Sequence, residues 1–291
     1  MNSESKARLV LLNSIESGSI FWSQEVSKKG AEQVVEGIKD GSYDFEKEAI
    51  GKIKSRISQV NLKEVINQIK KSGALFIDPQ HEFWPKQLND LANPPFGLIL
   101  KGAIENILLA DRSIAVVGTR NPTNYGMRIA SDFAAAFAEQ EWIVVSGGAL
   151  GIDSCAHRGA LVVEGLTIGI LAGGVNNAYP QSNFRLFEEI GSKGILISEV
   201  MPDVHPIPVR FLIRNRLIAA LTKGTLVVEA AYRSGSLRTA RDAAELLRPV
   251  MAIPGPINNP NSEGCNKLIS ERCAELVSSA TDVLELVSPI A

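Results

Sequence analysis

The chain is predicted to fold as an α/β protein, a doubly wound and mostly parallel sheet preceded by a small all-α N-terminal domain. Six short apolar runs recur in its second part, at 114–117, 142–145, 167–171, 194–197, 225–228 and 250–253. They are continuously apolar rather than alternating, as strands covered on both faces are. Longer segments of helical periodicity lie between them, and parallel neighbours need such segments as crossovers.

Residues 1–72 make the first unit. They carry charged, helix-favouring stretches, among them Phe45 to Val60 and Leu62 to Lys71, interrupted by Gly18, Gly30, Gly37 and Gly41. A helical module is predicted. Residues 73–291 make the second unit. It opens with two apolar runs, Ala74 to Ile77 and Phe96 to Leu100, separated by Pro79, Pro85, Pro94 and Pro95. These are predicted to be introductory strands. The six runs of the main sheet follow, and the segment after the first shows the crossover signal. Ile129, Phe133 and Phe137 there share one helical face at i, i+4 and i+8.

Composition narrows the function classes. The 291 residues are 45% hydrophobic and 21% charged, which supplies a packed core without overall disorder. A net charge of −2 argues against a surface that coats nucleic acid everywhere, so any anion site is local. The cysteines, Cys155, Cys265 and Cys273, form no C-x-x-C pair and suit a reducing cytosol rather than a disulfide framework or a zinc site. No apolar run approaches the roughly 20 residues that span a bilayer, and Met1 to Leu12 lacks the apolar region of a signal peptide. A soluble, cytoplasmic protein without membrane contact is expected.

Ligands of open α/β sheets bind outside the carboxyl ends of the strands. There the chain places Gly118-Thr119-Arg120 after the first run, Ser146-Gly147-Gly148 after the second, Gly173-Gly174 after the third and Ser234-Gly235-Ser236 after the fifth. Glycine admits a ligand close to the backbone, and helix N-termini present free N–H groups to anions. Turns in α/β folds need glycine for their own sake, but four such loops along one edge read as a phosphate-binding rim. Neither G-x-G-x-x-G nor G-x-x-x-x-G-K-[ST] is present. NAD or ATP chemistry is therefore not expected, and no cofactor is implied.

Between His205 and Arg241 the cations Arg210, Arg214, Arg216, Lys223, Arg233, Arg238 and Arg241 accompany a single acid, Glu229. Such a concentration suits phosphate contacts. On a helix, Ile213, Leu217, Ile218, Ala220 and Leu221 define a core-facing stripe that includes Arg214, and Arg210 as well if the helix begins that early. A core-facing arginine in a first helical turn must reach the crevice above the sheet or be buried unpaired, and it opposes the helix dipole. An anionic ligand would relieve both problems. Arg216, at the edge of the stripe, is read equally as a DNA contact or as a salt bridge to a neighbouring carboxylate. Phe211 is read either as a stacking surface for a base or as core. Asp153, Cys155 and His157 diverge on a helix at i, i+2 and i+4, so no metal site is assigned. His157 is expected to be hydrogen-bonded inside the domain.

A series of strings then carries a family resemblance: V-V-G-T-R (116–120), Y-G (125–126), S-G-G-A-L-G-I-D-S-C-A-H (146–157), T-I-G-I-L (167–171), Y-P (179–180), S-E (198–199), F-L-I-R-N-R (211–216), V-V-E-A (227–230), S-G-S-L-R-T-A (234–240), I-P-G (253–255) and G-C-N-K-L-I (264–269). In this order and combination, the segment from about Leu75 to Val283 resembles the DprA/Smf (DNA processing protein A) family. The resemblance implies an extended Rossmann-like domain that binds single-stranded DNA in a positive pocket, forms homodimers and helps to load a RecA-type recombinase onto DNA, as in natural transformation. It also implies a sterile-alpha-motif-like or helix-hairpin-helix-like N-terminal module. Carried over by motif position, the pocket comprises Gly118, Arg120, Ser146, Gly147, Phe211, Arg214, Asn215, Arg216, Ser234, Gly235 and Ser236. Thr119, Gly148, Arg210 and Arg238 join it from the loops and the charge cluster. Leu150 stands where the family commonly has arginine, and Arg238 where it usually has an apolar residue. The chain ends soon after its last predicted helix, without the winged-helix-like domain of many members, so partner contacts through such a domain are not expected.

Non-enzymatic binding of single-stranded DNA is the leading expectation. A nucleotide-binding sensor or N-glycosidic hydrolase of a related Rossmann-like superfamily would instead use Glu229 as acid or base, with Asp153 and His157 cooperating. The P-G-G-x-G-T-x-x-E string of phosphoribohydrolases is absent. An antitoxin or defence component built on the same fold would be marked by a tight co-purifying partner.

Overall fold

The computed structural model describes residues 1–43 and 46–288. Helices α1 (Ser3–Ser14), α2 (Ile20–Lys29), α3 (Ala31–Asp40), α4 (Lys47–Gln59) and α5 (Leu62–Lys71) precede the sheet. The side chains of Asn2, Ser19 and Asn61 cap α1, α2 and α5 by accepting first-turn N–H groups. Gly41, at φ +88°, ends α3 in the left-handed conformation that glycine adopts without strain. Gly37 departs from expectation, since it lies inside α3 instead of breaking a helix. A Cβ there would come within 3.0 Å of the Tyr43 ring, so a larger residue would crowd it, although a mid-helix glycine costs roughly 1 kcal/mol. The helix predicted from Phe45 to Val60 is Lys47–Gln59; Phe45 lies outside the described residues, as do residues 289–291 of the second predicted unit.

Leu11, Trp22, Val34 and Ile38 centre a core within the helical segment. Leu9 and Leu12 of α1 and Val65 and Ile69 of α5 pack instead with Phe76, Ile99, Leu171 and Phe187. The segment is therefore docked through shared apolar burial.

Strands β1 (Leu75–Ile77) and β2 (Leu98–Gly102) introduce the sheet. The next six strands are β3 (Ser113–Val117), β4 (Ile143–Ser146), β5 (Thr167–Leu171), β6 (Ile195–Ser198), β7 (Gly224–Val227) and β8 (Val250–Ala252). They coincide with the six apolar runs to within about a residue at each end, the ordinary uncertainty of element boundaries. A short β9 (Glu275–Leu276), both residues exposed, has no apolar run to announce it. Among the described residues the order is β1-β2-β6-β5-β4-β3-β7-β8-β9. Only the β1–β2 and β2–β6 pairs are antiparallel. Ile114 of β3 lies opposite Val144 of β4 on one side and Gly224 of β7 on the other. The winding thus reverses between β3 and β7, and a crevice opens at their carboxyl ends, as doubly wound sheets require.

The crossovers are α6 (Asn124–Glu139), α7 (Ile152–Val162), α8 (Phe184–Lys193), α9 (Pro208–Leu221), α10 (Gly235–Glu245) and α11 (Glu263–Ser270), and α12 (Ala280–Val287) follows β9. Phe133 and Phe137 of α6 pack with Ile114, Val144 and α7, as their spacing predicts. On the opposite face α9 and α10 share a core with Ala115, Val145 and Ile170. Helix α9 corrects one expectation. It starts at Pro208, a residue preorganised for a first helical position, which puts Arg210 in the first turn and Arg214 in the second. From Arg214 to Leu221 every residue of α9 is buried, so the helix is enclosed all round rather than on one stripe. Among the described residues no helix is long and apolar enough to cross a membrane.

Candidate functional site

The crevice between β3 and β7 holds a cavity of about 250 Å³. Gly118, Thr119 and Arg120 after β3 form one rim, and Ser234, Gly235 and Ser236 at the start of α10 form the opposite one. Phe211, Leu212, Arg214, Asn215 and Ile218 of α9 make a wall, with Ala149 and Asp153 closing the side. The Ser234 side chain does not cap α10; its hydroxyl pairs with that of Ser236 at 2.8 Å. First-turn N–H groups of a helix have no intrahelical acceptor, so the positive end of α10 opens on the cavity. A Cβ at Gly235 would meet nothing within 4 Å. The protein itself does not require glycine there, and its absence of side chain keeps the rim low.

Arg120 is exposed and, among the described residues, has no hydrogen-bond or ion-pair partner. Its guanidinium carbon lies 5.5 Å from the centre of the Phe211 ring, and that of Arg214 lies 6.0 Å from the same ring. Phe211 is half-buried between the two cations. The Tyr179 ring meets it edge-on, at 5.8 Å between centroids and 72° between planes.

Arg214 is buried to 6% exposure. It does not wait for an anion. Its Nη1 donates to the Gly147 carbonyl at 2.7 Å and to the Ile170 carbonyl, and its Nε donates to Asn215 at 3.2 Å. A Cβ at Gly147 would collide with the guanidinium, so that glycine serves the arginine. The Asp153 carboxylate accepts the N–H groups of Gly147 (3.1 Å) and Ala149 (3.3 Å) and so closes the loop after β4. Burial pulls Arg214 down to about 10, against the opposing pull of Asp153; burial raises the Asp153 carboxyl while Arg214 lowers it. The expectation that an anionic ligand satisfies Arg214 is thereby replaced: carbonyls at the ends of β4 and β5 satisfy it.

Other site candidates lie away from the cavity. Ser146 is buried at the end of β4, and its hydroxyl donates to the Val116 carbonyl at 2.7 Å. Gly148, at φ +67°, packs on Phe187. Arg210 makes a two-pronged ion pair with Glu16, at 2.6 and 2.8 Å. Arg216 is buried against Glu199 at 2.5 Å, the salt-bridge alternative of the sequence reading. Arg238 pairs with Asp242 at 2.7 Å one turn along α10. Ser146 is engaged by a carbonyl and the three arginines by carboxylates; of these partners Asp242 alone stands within helical reach of its arginine in the sequence.

Glu229 is buried rather than open to the crevice. Its Oε2 accepts the Thr123 N–H at 2.9 Å and its Oε1 the Thr123 hydroxyl at 2.6 Å, which fixes the start of α6. Both oxygens are engaged, so the structure offers no support for its use as a general acid or base. The Thr167 hydroxyl donates to the Val144 carbonyl and lies 2.7 Å from His157 Nδ1; the imidazole therefore donates through Nδ1. Complete burial, aided by the Arg214 charge, holds its pKa at about 3. Sequence reasoning overlooked Asp153 as the buried carboxylate whose charge acts on Arg214, and Tyr179 as the neighbour of Phe211. The Y-P string at 179–180 was the available signal for the latter.

A larger cavity, of about 580 Å³, lies on the far side of Tyr179, where α8 and the loops after β5 and β6 meet. It has no guanidinium in its lining.

Comparison with known proteins places this geometry in a lineage. Residues 75–288 match the DNA recombination-mediator protein A family. The chain is 41% identical over 233 residues to the putative DNA processing protein DprA of Mycobacterium tuberculosis, an alignment that spans 76% of this chain and 60% of that protein. It is 39% identical over 206 residues to the DNA processing protein DprA of Bacillus subtilis, spanning 71% of this chain and 68% of the other. The crystal structure of DNA processing protein A from Streptococcus pneumoniae superposes with a TM-score of 0.84 at 31% identity over 99% of each chain. DNA processing protein A from Helicobacter pylori, whose structure concerns its single-stranded DNA binding mode, superposes with a TM-score of 0.66 at 31% identity, over 74% of this chain and 96% of that one. The chain belongs to the DNA recombination-mediator protein A (DprA/Smf) family.

Proposed function

We propose that the chain binds single-stranded DNA, without catalysing a reaction, in the crevice between β3 and β7, and delivers it as a cytoplasmic homodimer to a RecA-type recombinase. The observation that carries the reading is the unpartnered Arg120 guanidinium beside Phe211, facing the open end of α10 across the cavity. A phosphate between Arg120 and the amides of Gly235 and Ser236 would gain charge-assisted hydrogen bonds that the protein leaves vacant. Phe211 then offers a face to a base, which is sequence-tolerant recognition because every base has a π-face. Gly118, Thr119, Asn215, Ser234 and Ser236 complete the contact set. Arg214 acts one step back, holding Phe211 and the loop after β4 in place. The family relationship and the single-strand binding of the Helicobacter pylori relative support the same ligand. We further propose that residues 1–72 form a distinct unit docked on this domain.

The test is fluorescence anisotropy with a labelled ~20-nucleotide single strand and its duplex, across a salt series, for wild type and Arg120→Ala. Tight binding that prefers the single strand, weakens with salt and falls about 10-fold in the variant is expected. Affinity flat with salt, or unchanged in Arg120→Ala, would refute the site.

A further inference from the structure

We propose that the 580 Å³ cavity beyond Tyr179 is a second nucleotide subsite, into which a strand seated at Arg120 and Phe211 continues. The proposal rests on the reading above and specifies where the strand goes. Tyr179 belongs to both places: its ring lines the larger cavity and touches the Phe211 ring of the smaller one. The edge-on contact of Tyr179 with Phe211 brings the linings of the two stations together.

The lining carries what a nucleotide needs. Tyr179 is 52% exposed and Phe184, at the start of α8, is 60% exposed. Two large aromatic side chains left open at one cavity have no role in the core, and a stacked base would cover them. Lys101 at the end of β2 has no ion-pair or hydrogen-bond partner among the described residues and borders the same space. His205 adds ring nitrogens able to hydrogen-bond, and the lining holds one acid, Glu188. Asn177 donates to the Asp203 carbonyl at 2.6 Å, which holds its side chain in place. The volume falls within the range of small-ligand sites. Unpaired cation, open aromatic faces and fixed amides are the chemistry of sequence-tolerant single-strand binding. The smaller cavity supplies the anchoring charge and the larger one supplies stacking area.

The experiment compares oligothymidylates of roughly 5 and roughly 15 nucleotides, lengths that bracket common single-strand site sizes. Binding is measured by anisotropy for wild type, Phe184→Ala, Lys101→Ala and Arg120→Ala. In parallel, 5-iodouracil placed along the longer strand is photo-crosslinked and the attachment residue mapped by mass spectrometry. Circular dichroism verifies folding, which truncation of the exposed Phe184 and Arg120 and the half-buried Lys101 should not disturb. The expected result is that Phe184→Ala cuts the ratio of long-strand to short-strand affinity about 10-fold and Lys101→Ala cuts it less. Arg120→Ala should lower both affinities and preserve the ratio. Crosslinks in wild type should map to Tyr179 or Phe184. An unchanged ratio in Phe184→Ala with no crosslink at either aromatic, while Arg120→Ala still weakens binding, would overturn the second subsite and leave the first standing. Failure of wild type to bind either strand would overturn both.

Discussion

Helix α9 and the loop after β3 both contribute arginine to one cavity, yet they do opposite things with it. On α9, Arg210 is held by Glu16, Arg214 by the carbonyls of Gly147 and Ile170, and Arg216 by Glu199. On the loop, Arg120 lies beside the Phe211 ring and, among the described residues, has no hydrogen-bond or ion-pair partner. Local charge density along the chain is therefore a poor guide to free positive surface. A guanidinium inside a protein must be paired or hydrogen-bonded because an uncompensated buried charge is costly, so the arginines of α9 became scaffold. At this cavity Arg120, which stayed in solvent, is the arginine available to a phosphate.

The comparison can be broken most forcefully at Arg214. Arg214→Ala should cost about 3–5 kcal/mol of stability, because it leaves the buried Gly147 and Ile170 carbonyls without this donor and removes the charge that opposes the desolvation of buried Asp153. Urea unfolding measures this directly, and a loss below about 1 kcal/mol would show that Arg214 is not scaffold. Next in size is the acid response of the same buried layer. His157 titrates at about 3 in the fold, against 6.5 unperturbed. Between those values the unfolded chain binds the extra proton, so stability rises with pH across this window and is lost as pH falls below 6.5. About 2 kcal/mol should disappear from this group between pH 7 and pH 5. Asp153, whose pKa is raised, works in the opposite sense, so the His157 contribution is read as the difference between the pH–stability curves of wild type and His157→Gln.

Arg120→Ala tests the other side of the comparison. Its stability should stay within about 0.5 kcal/mol of wild type, while single-strand affinity drops about 10-fold and the salt slope shrinks by about 0.7, the share of one phosphate contact. Equal losses of stability in Arg120→Ala and Arg214→Ala would erase the distinction between the two regions. The smallest effect is expected at Glu16→Gln. The Arg210–Glu16 pair is partly exposed and so contributes at most about 1 kcal/mol. Releasing Arg210 should raise single-strand affinity by no more than about 5-fold at low salt, read by the same anisotropy titration.

Much of the architecture was legible residue by residue. The six apolar runs became β3 to β8, and the Ile129, Phe133, Phe137 spacing became the buried face of α6. The rim was legible too, because small residues at strand ends follow from the rule that such sheets bind ligands there. Gly118, Thr119, Arg120, Phe211, Arg214, Asn215, Ser234, Gly235 and Ser236 all line the cavity. Ser146, Gly147, Gly148, Arg210, Arg216 and Arg238 do not; only Arg238 carries a local sign of this, Asp242 at i+4 on the same helix. The partners of Arg210 and Arg216, Glu16 and Glu199, come from α1's end and the β6–α9 loop, at separations of 194 and 17 residues.

Periodicity and turn chemistry, which are local, determined from the sequence alone that this chain would build a doubly wound sheet with a glycine-rich crevice and a helical segment before it. Tertiary structure decided which arginines stayed free, that Glu229 anchors α6 rather than facing a ligand, and that Tyr179 joins two cavities. The reason is physical: a charge's fate depends on desolvation and on partners brought from distant strands and helices, and neither is encoded in the spacing of residues along one element.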